Sequence, residues 1–420
     1  MNNVFDYIVV GAGSAGSAVA ARLAEDPEVR VLLLEAGGRD RHLFMAMPLA
    51  FRKVAFSRAH GWGYDSEPEP GLDGRSLQIP RGRTLGGSSS VNALICIRGN
   101  RRDYDRLAEA GLAGWGYADV LPYFKKLESN WRGETPYHGG SGPIGVTPIH
   151  HDDMLFEPLA AAAQAAGVPL NADPNGAVQE GLSRMEATIR GGQRDSAARG
   201  YLRENKPNLT IVTGAQTRRV LIEQQRAVGV EAMCGGEIRQ WRAEREVILS
   251  AGSFNTPQIL MLSGIGPADH LREMGVAPLL DVPAVGDNLS EHPNFIMTFA
   301  ARGAAGLTRH LRYDRAGLGA ARWMLTRGGV FATNGGTANV FVRTAPNADR
   351  PDVGLIAMPL KNDADLWFPG LTAPPLHGFA VRIGALHPQA RGSVRLRSGD
   401  FREAPRIRFN LLTEDADVQT

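Results

Sequence analysis

Gly11, Gly13 and Gly16 stand in a Gly-x-Gly-x-x-Gly spacing, preceded by the apolar residues 7–10 and followed nineteen positions after Gly16 by Glu35. That arrangement suits a dinucleotide. The first glycine permits a tight turn, the second lets the backbone approach a pyrophosphate, and the third lets helix and strand pack closely. The helix that opens there offers free N–H groups and the positive end of its dipole, and a carboxylate at the end of the next strand can accept hydrogen bonds from a ribose. A bare glycine motif is weak evidence, and a plain glycine turn is the competing reading. Strand, helix and acid in register make it specific.

Two further stretches could hold such a ligand. Residues 80–93 run Pro-Arg-Gly-Arg-Thr-Leu-Gly-Gly-Ser-Ser-Ser-Val-Asn-Ala; Arg81, Arg83, Gly87, Ser88 and Asn92 could form a nest of donors around phosphates. Taken alone, the same text reads more readily as a flexible Gly/Ser loop. At Ser250-Ala251-Gly252 small residues would let a cofactor lie close to the backbone, or would simply allow strand-to-helix packing. Trp62 and Tyr64 could stack on an adenine or plug a loop. His150, His151, Asp152 and Asp153 are ligand-type residues, but neighbours on a loop seldom converge on one metal, and no metal is expected. Neither a Gly-x-Ser-x-Gly nor a P-loop motif occurs, so hydrolase and nucleotide-triphosphatase chemistry lack their signatures. His292, beside Pro293, could be catalytic, but an isolated histidine in a loop is more often structural.

The elements that must position these groups follow from periodicity. Residues 7–10 and 31–34 are apolar strands around an Ala-rich helix at 17–24, a βαβ unit. Residues 37–99, dense in Gly, Pro, Arg and Ser, imply long loops over something functional. Helices are expected within 104–127, broken at 111–116, and at 154–166, ending at Gly167. Strand pieces at 209–212, 220–223 and 228–232 suggest a meander. A strand at 246–250 then leads into a helix with Thr256 as N-cap and Pro257 at its first position, stopped by Gly264. From His292 onward, strand signals between Gly/Pro turns suggest a mostly antiparallel sheet.

At 420 residues, 43% hydrophobic and 21% charged, the chain reads as two interleaved globular domains, not a disordered or fibrous protein. Its formal net charge is +2, and no block of basic residues marks a nucleic-acid track. Cys96 and Cys234 stand far apart with no companion, so a disulfide framework is not suggested. A reducing, cytoplasmic setting is expected, with membrane contact peripheral at most.

Together these motifs strongly resemble the glucose–methanol–choline family of FAD oxidoreductases, closest to its bacterial alcohol and choline dehydrogenase branch. The matching stretches are residues 6–16, 34–38, 81–98, 114–117, 245–266, 285–289 and 393–408. The resemblance implies an α/β and α+β fold: a Rossmann-type FAD-binding domain (1–150 and 205–290) interleaved with a substrate domain on a mostly antiparallel sheet (151–204 and 291–420). It implies that Gly11, Gly13, Ser14, Ala15 and Gly16 hold the pyrophosphate and that Glu35 and Ala36 meet the ribose. It places Thr84 and Asn92, Ala93, Leu94 and Ile95 along the flavin, and Val220 near the adenine. Some members carry a flavin-linked histidine where this chain has Val91, so dissociable FAD is expected.

In that family a histidine takes the hydroxyl proton of an alcohol while hydride passes to the flavin. The resemblance puts that histidine, and a second His or Asn, in a C-terminal region of which this sequence contains only the start, from about residue 388. No histidine here occupies the position, and no catalytic residue is assigned. The expectation is a truncated piece or short form, of low stability, that exposes an apolar edge on the flavin domain. A primary alcohol, choline-like or aliphatic, is the expected substrate, with an unidentified electron acceptor. A lyase or photodecarboxylase use of the scaffold and a catalytically inactive flavin binder are the alternatives.

Overall fold

The computed structural model describes residues 3–150, 155–204, 206–301, 306–345 and 347–420. The segment His151 to Asp153, set aside above as a metal ligand set, lies outside them; His150 is described and exposed.

The strand Val4–Val10 is buried on both faces, and its alternation divides the core. Val9 points with Val31 and Leu33 toward the helix Ser14–Leu23, where Ala20 and Ala24 meet them. Ile8 and Val10 point the other way with Leu32 and Leu34, toward Val220, Val230, Ala232 and Trp241. Each fully buried aliphatic of this set contributes about 2 kcal/mol through removal from water. Val31–Glu35 pairs parallel with Val4–Val10, and Leu209–Thr213 pairs parallel with Val31–Glu35.

Leu209–Thr213 therefore does not begin a meander, as its sequence suggested, but closes one edge of the parallel sheet. The true meander is Ala215–Glu223, Arg226–Cys234 and Glu237–Leu249. The last of these is one 13-residue strand, of which only the apolar end was legible. It pairs antiparallel with Arg226–Cys234 up to Arg242 and parallel with Val4–Val10 from Arg242 onward. The charged side chains at 242–246 obscured its continuity.

Gly252–Leu262 follows, starting five residues earlier than the Thr256-Pro257 signal implied, with Ala251 at the N-cap. Pro257 thus sits inside the helix, where it cannot donate to the Ser253 carbonyl. Gly264, at φ +83°, ends the helix as expected.

A second sheet has the order Asn294–Ala300, Gly378–Ala385, Val353–Met358, Ala338–Val342, Gly181–Arg184, antiparallel throughout. The helices Arg101–Glu109 and Tyr117–Leu127 and the helix Phe156–Ala165 stand where periodicity placed them. Among the described residues the exposed apolar edge strand belongs to this sheet, where the flavin-type sheet was expected to have it: every residue of Asn294–Ala300 is exposed, Phe295, Ile296 and Met297 among them. Where the loops converge, His138 is fully buried between Glu128 (Nδ1 to Oε1, 2.7 Å) and Asp173 (Nε2 to Oδ2, 2.9 Å). Burial opposes its charge, yet the hydrogen bonds to Asp173 and Glu128 outweigh burial and hold its pKa at about 9.

Candidate cofactor site

The turn after Val4–Val10 is built on contacts that exclude side chains. A Cβ on Gly16 would lie 1.9 Å from the Gly11 carbonyl oxygen, and one on Gly11 would lie 2.6 Å from that of Ser250. Gly11 also has φ +93°, a conformation open to glycine. At Gly13 a Cβ would meet nothing within 4 Å, so this backbone faces open space. The ten-residue helix Ser14–Leu23 begins there with no side-chain cap and no acid in its first turn. Its first N–H groups are left for an anion.

That open space is a cavity of about 510 Å³, lined by Gly11, Gly13, Ser14, Ala15, Glu35 and Ala36 on one side. Residues 249–256, including Ala251, line the opposite side, and Trp62, Arg81, Gly87, Ser88, Gln216 and Phe401 also contribute. The Gly/Ser stretch is not a loose loop. Gly86 donates to the Ala12 carbonyl at 2.7 Å, and Gly87 sits so close that a Cβ would come within 2.8 Å of the Gly13 Cα. Trp62 lines the cavity under the Arg83 guanidinium, 4.8 Å away, and stacks on Tyr64 at 5.6 Å. Tyr64 itself is the plug, buried and accepting a 2.7 Å hydrogen bond from Asn255.

Glu35 is the only carboxylate among the described lining residues. Its oxygens accept from Gly37 N at 2.8 Å and Ala12 N at 3.0 Å, which fixes its orientation. Burial pushes its pKa up to about 7, against the lowering pull of those two N–H groups and of Arg83. The sign follows. In the ligand-free protein Glu35 favours the folded state below its unfolded value of about 4.5, and that contribution is lost as pH rises through about 7. A ligand whose hydroxyls donate to the carboxylate prefers it ionised, so binding below pH 7 must release a proton. FAD affinity measured by fluorescence titration is expected to be flat above pH 7 and to fall toward tenfold per unit below it. Glu35→Gln should flatten the profile; a slope unchanged by that substitution would remove Glu35 from the site.

Seven expected residues lie outside the cavity lining. Gly16 faces the Gly11 carbonyl and the Ser250 side chain, so it serves helix-to-strand packing and not the ligand directly. Thr84 is buried, its hydroxyl donating to the Gly38 carbonyl at 3.1 Å. Val220 belongs to the core, and Thr217, three residues before it, lines the cavity instead. Leu94 is fully buried with Ile149 and Met185, Ile95 bridges to Ala187, and the Ala93 carbonyl accepts from Asn334. Asn92 is exposed and held by Arg194, which sequence reasoning missed. Arg194 is 1% exposed and donates to the carbonyls of Met45 (2.9 Å), Ser89 (3.1 Å) and Asn92 (2.8 Å) and to Asn92 Oδ1 (2.8 Å). All four acceptors are neutral, and burial pulls its pKa down to about 9. Gln216 and Phe401, joined by a 3.1 Å hydrogen bond, were also missed. No local pattern marks either; the fold alone brings them to the cavity. Among the described residues no histidine lines it, and His292 is exposed. No group of three or more metal-ligating side chains occurs among the described residues.

Comparison with known proteins gives the family and the fold. The family model described as GMC oxidoreductase matches residues 5–294. An oxygen-dependent choline dehydrogenase of Rhizobium etli is 42% identical over 414 residues, which are 98% of this chain and 74% of that protein. Formate oxidase of Aspergillus oryzae, whose structures concern FAD modification, superposes with a TM-score of 0.91 at 28% identity, covering 99% of this chain and 79% of that one. Pyridoxine 4-oxidase from Mesorbium loti gives a TM-score of 0.84 at 28% identity, covering 99% and 78%.

Proposed function

The chain belongs to the GMC oxidoreductase family, whose members are FAD-dependent, and from that premise we propose that it binds FAD without a covalent bond and serves the oxidation of a primary alcohol, choline-like or aliphatic, to the aldehyde. One observation carries the binding half: an uncapped helix N-terminus and an open Gly13 face the same cavity as the buried Glu35. Gly11 to Ala15 would hold the pyrophosphate, Glu35 the ribose, and Trp62 the adenine. Bound FAD supplies a two-electron acceptor for hydride. The protein's part is to orient it and keep water from it; the first is done by backbone N–H groups, which need no reorganisation.

Val91 is 3% exposed and packed with Met45 and Val54. It offers no nucleophile. Acid or heat denaturation of the FAD-loaded protein is therefore expected to leave all yellow colour in the supernatant; colour on the precipitated chain would defeat the non-covalent reading. Anaerobic addition of choline or a short aliphatic alcohol should bleach the flavin absorbance.

A second reading is favoured by the lack of a lining histidine among the described residues: this chain by itself binds FAD and turns over no alcohol. FAD that dithionite bleaches and no alcohol does would select it; alkane or aldehyde release in light would select a lyase or photodecarboxylase. The free Cys96 and Cys234 support a cytoplasmic setting.

A further inference from the structure

Charge is unevenly distributed along this chain. Residues 37–63 carry Arg39, Arg41, Arg52, Lys53 and Arg58 against Asp40 alone, and residues 306–330 carry Arg309, Arg312, Arg315, Arg322 and Arg327 against Asp314 alone. Each segment is net +4, in a chain whose formal total is +2, so everything outside them is net −6. The fold sets the two side by side. Ala46 and Met47 pack on Trp323, and Pro48–Ala50 lies against Val330–Ala332.

The helix Tyr313–Thr326 turns Trp323 inward, fully buried. At about 100° per residue, Arg315, Leu318, Arg322 and Leu325 fall in one stripe of roughly 80° on the far side. Leu318 is 72% exposed and Leu325 85%, and both arginines are exposed. On the adjoining segment Leu43, Phe44 and Phe56 are exposed near Arg41, Arg52 and Lys53. Among the described residues, Arg41, Lys53, Arg58, Arg322 and Arg327 have no carboxylate partner. An apolar patch alone would suit a protein partner, and a basic patch alone a polyanion. Leucine and phenylalanine tips set among arginine and lysine heads that carboxylates do not neutralise match the two layers of a membrane surface, acyl chains below and anionic phosphates above.

We propose that this face docks onto an anionic lipid bilayer, with Leu318 and Leu325 entering the acyl boundary and Arg315 and Arg322 against lipid phosphates. No described helix is long and apolar enough to cross a membrane, so the contact is peripheral.

The test is co-sedimentation of the FAD-loaded protein with phosphatidylcholine vesicles, with and without phosphatidylglycerol. Binding is expected only with the anionic lipid, and it should weaken as salt rises. Each basic residue neutralised is expected to cost roughly fivefold in partition, so R315Q/R322Q should lose roughly 25-fold. L318S/L325S should also weaken binding while leaving the salt dependence intact. All four positions are exposed, and an unchanged flavin spectrum verifies the fold. Equal binding to both vesicle types, or variants that bind like the wild type, would overturn the proposal. So would self-association abolished by L318S/L325S, or retention on RNA, in a protein that ignores vesicles.

Discussion

Gly16→Ala is expected to lose FAD affinity about 100-fold and to unfold at a clearly lower temperature. Its methyl would sit 1.9 Å from the Gly11 carbonyl oxygen and 3.2 Å from the Ser250 Cβ. The oxygen is backbone and cannot rotate away, so the helix Ser14–Leu23 must move off the sheet, taking its N-terminal N–H groups with it. Overpacking of this kind costs about 2–3 kcal/mol, which is the stated loss if it falls on binding. Gly13→Ala is the informative partner. Gly13 has φ −74° and nothing within 4 Å of a Cβ, so the variant should melt like the wild type while its methyl intrudes where the pyrophosphate approaches. Thermal melts with and without FAD, beside a fluorescence titration, separate the two. A Gly13→Ala protein that binds FAD normally would show that this turn is not the phosphate cradle.

Arg194→Met is expected to destabilise the protein by about 4 kcal/mol in urea unfolding. One guanidinium satisfies the carbonyls of Met45, Ser89 and Asn92 and the Asn92 side chain. Its removal orphans the buried Met45 carbonyl and three part-buried acceptors, at up to about 1–3 kcal/mol each, partly offset because a buried charge is also removed. Arg194→Lys should recover less than half, since an ammonium cannot reproduce the fork. A change below about 1 kcal/mol would mean that water replaces the guanidinium, and that the loop at 89–92 needs no such anchor.

How much of this was legible depends on the range of the physics. The turn at 11–16 and the acid at 35 were readable because strand, turn and helix impose short periods on neighbouring residues. Gly87 and Ser88 were readable as candidates only, because their partner at Gly13 lies more than seventy residues away. The helix at 252 was read as starting at Pro257 because proline at a first position is the stronger local rule; the chain instead accepts one missing hydrogen bond to place residues 252–256 on the cavity. Arg194 was invisible for another reason. An arginine in a polar stretch reads as surface, and only tertiary packing buries it. The docking face escaped notice similarly, since its ten cations are spaced out and divided between two distant segments.

The hydrogen bond between Gln216 and Phe401 gives the cavity a place in time. Glu35 leaves the ribosome early, whereas Phe401, which closes the same cavity, comes 366 residues later. At about 5–20 residues per second that interval is roughly 20–70 s. Through it the strand Val31–Glu35 must wait for Leu209–Thr213, and the glycine turn for its far wall. The nascent chain thus carries a phosphate-binding turn long before it has a pocket, and cofactor capture must wait until residue 401 is made, unable to guide the steps before it.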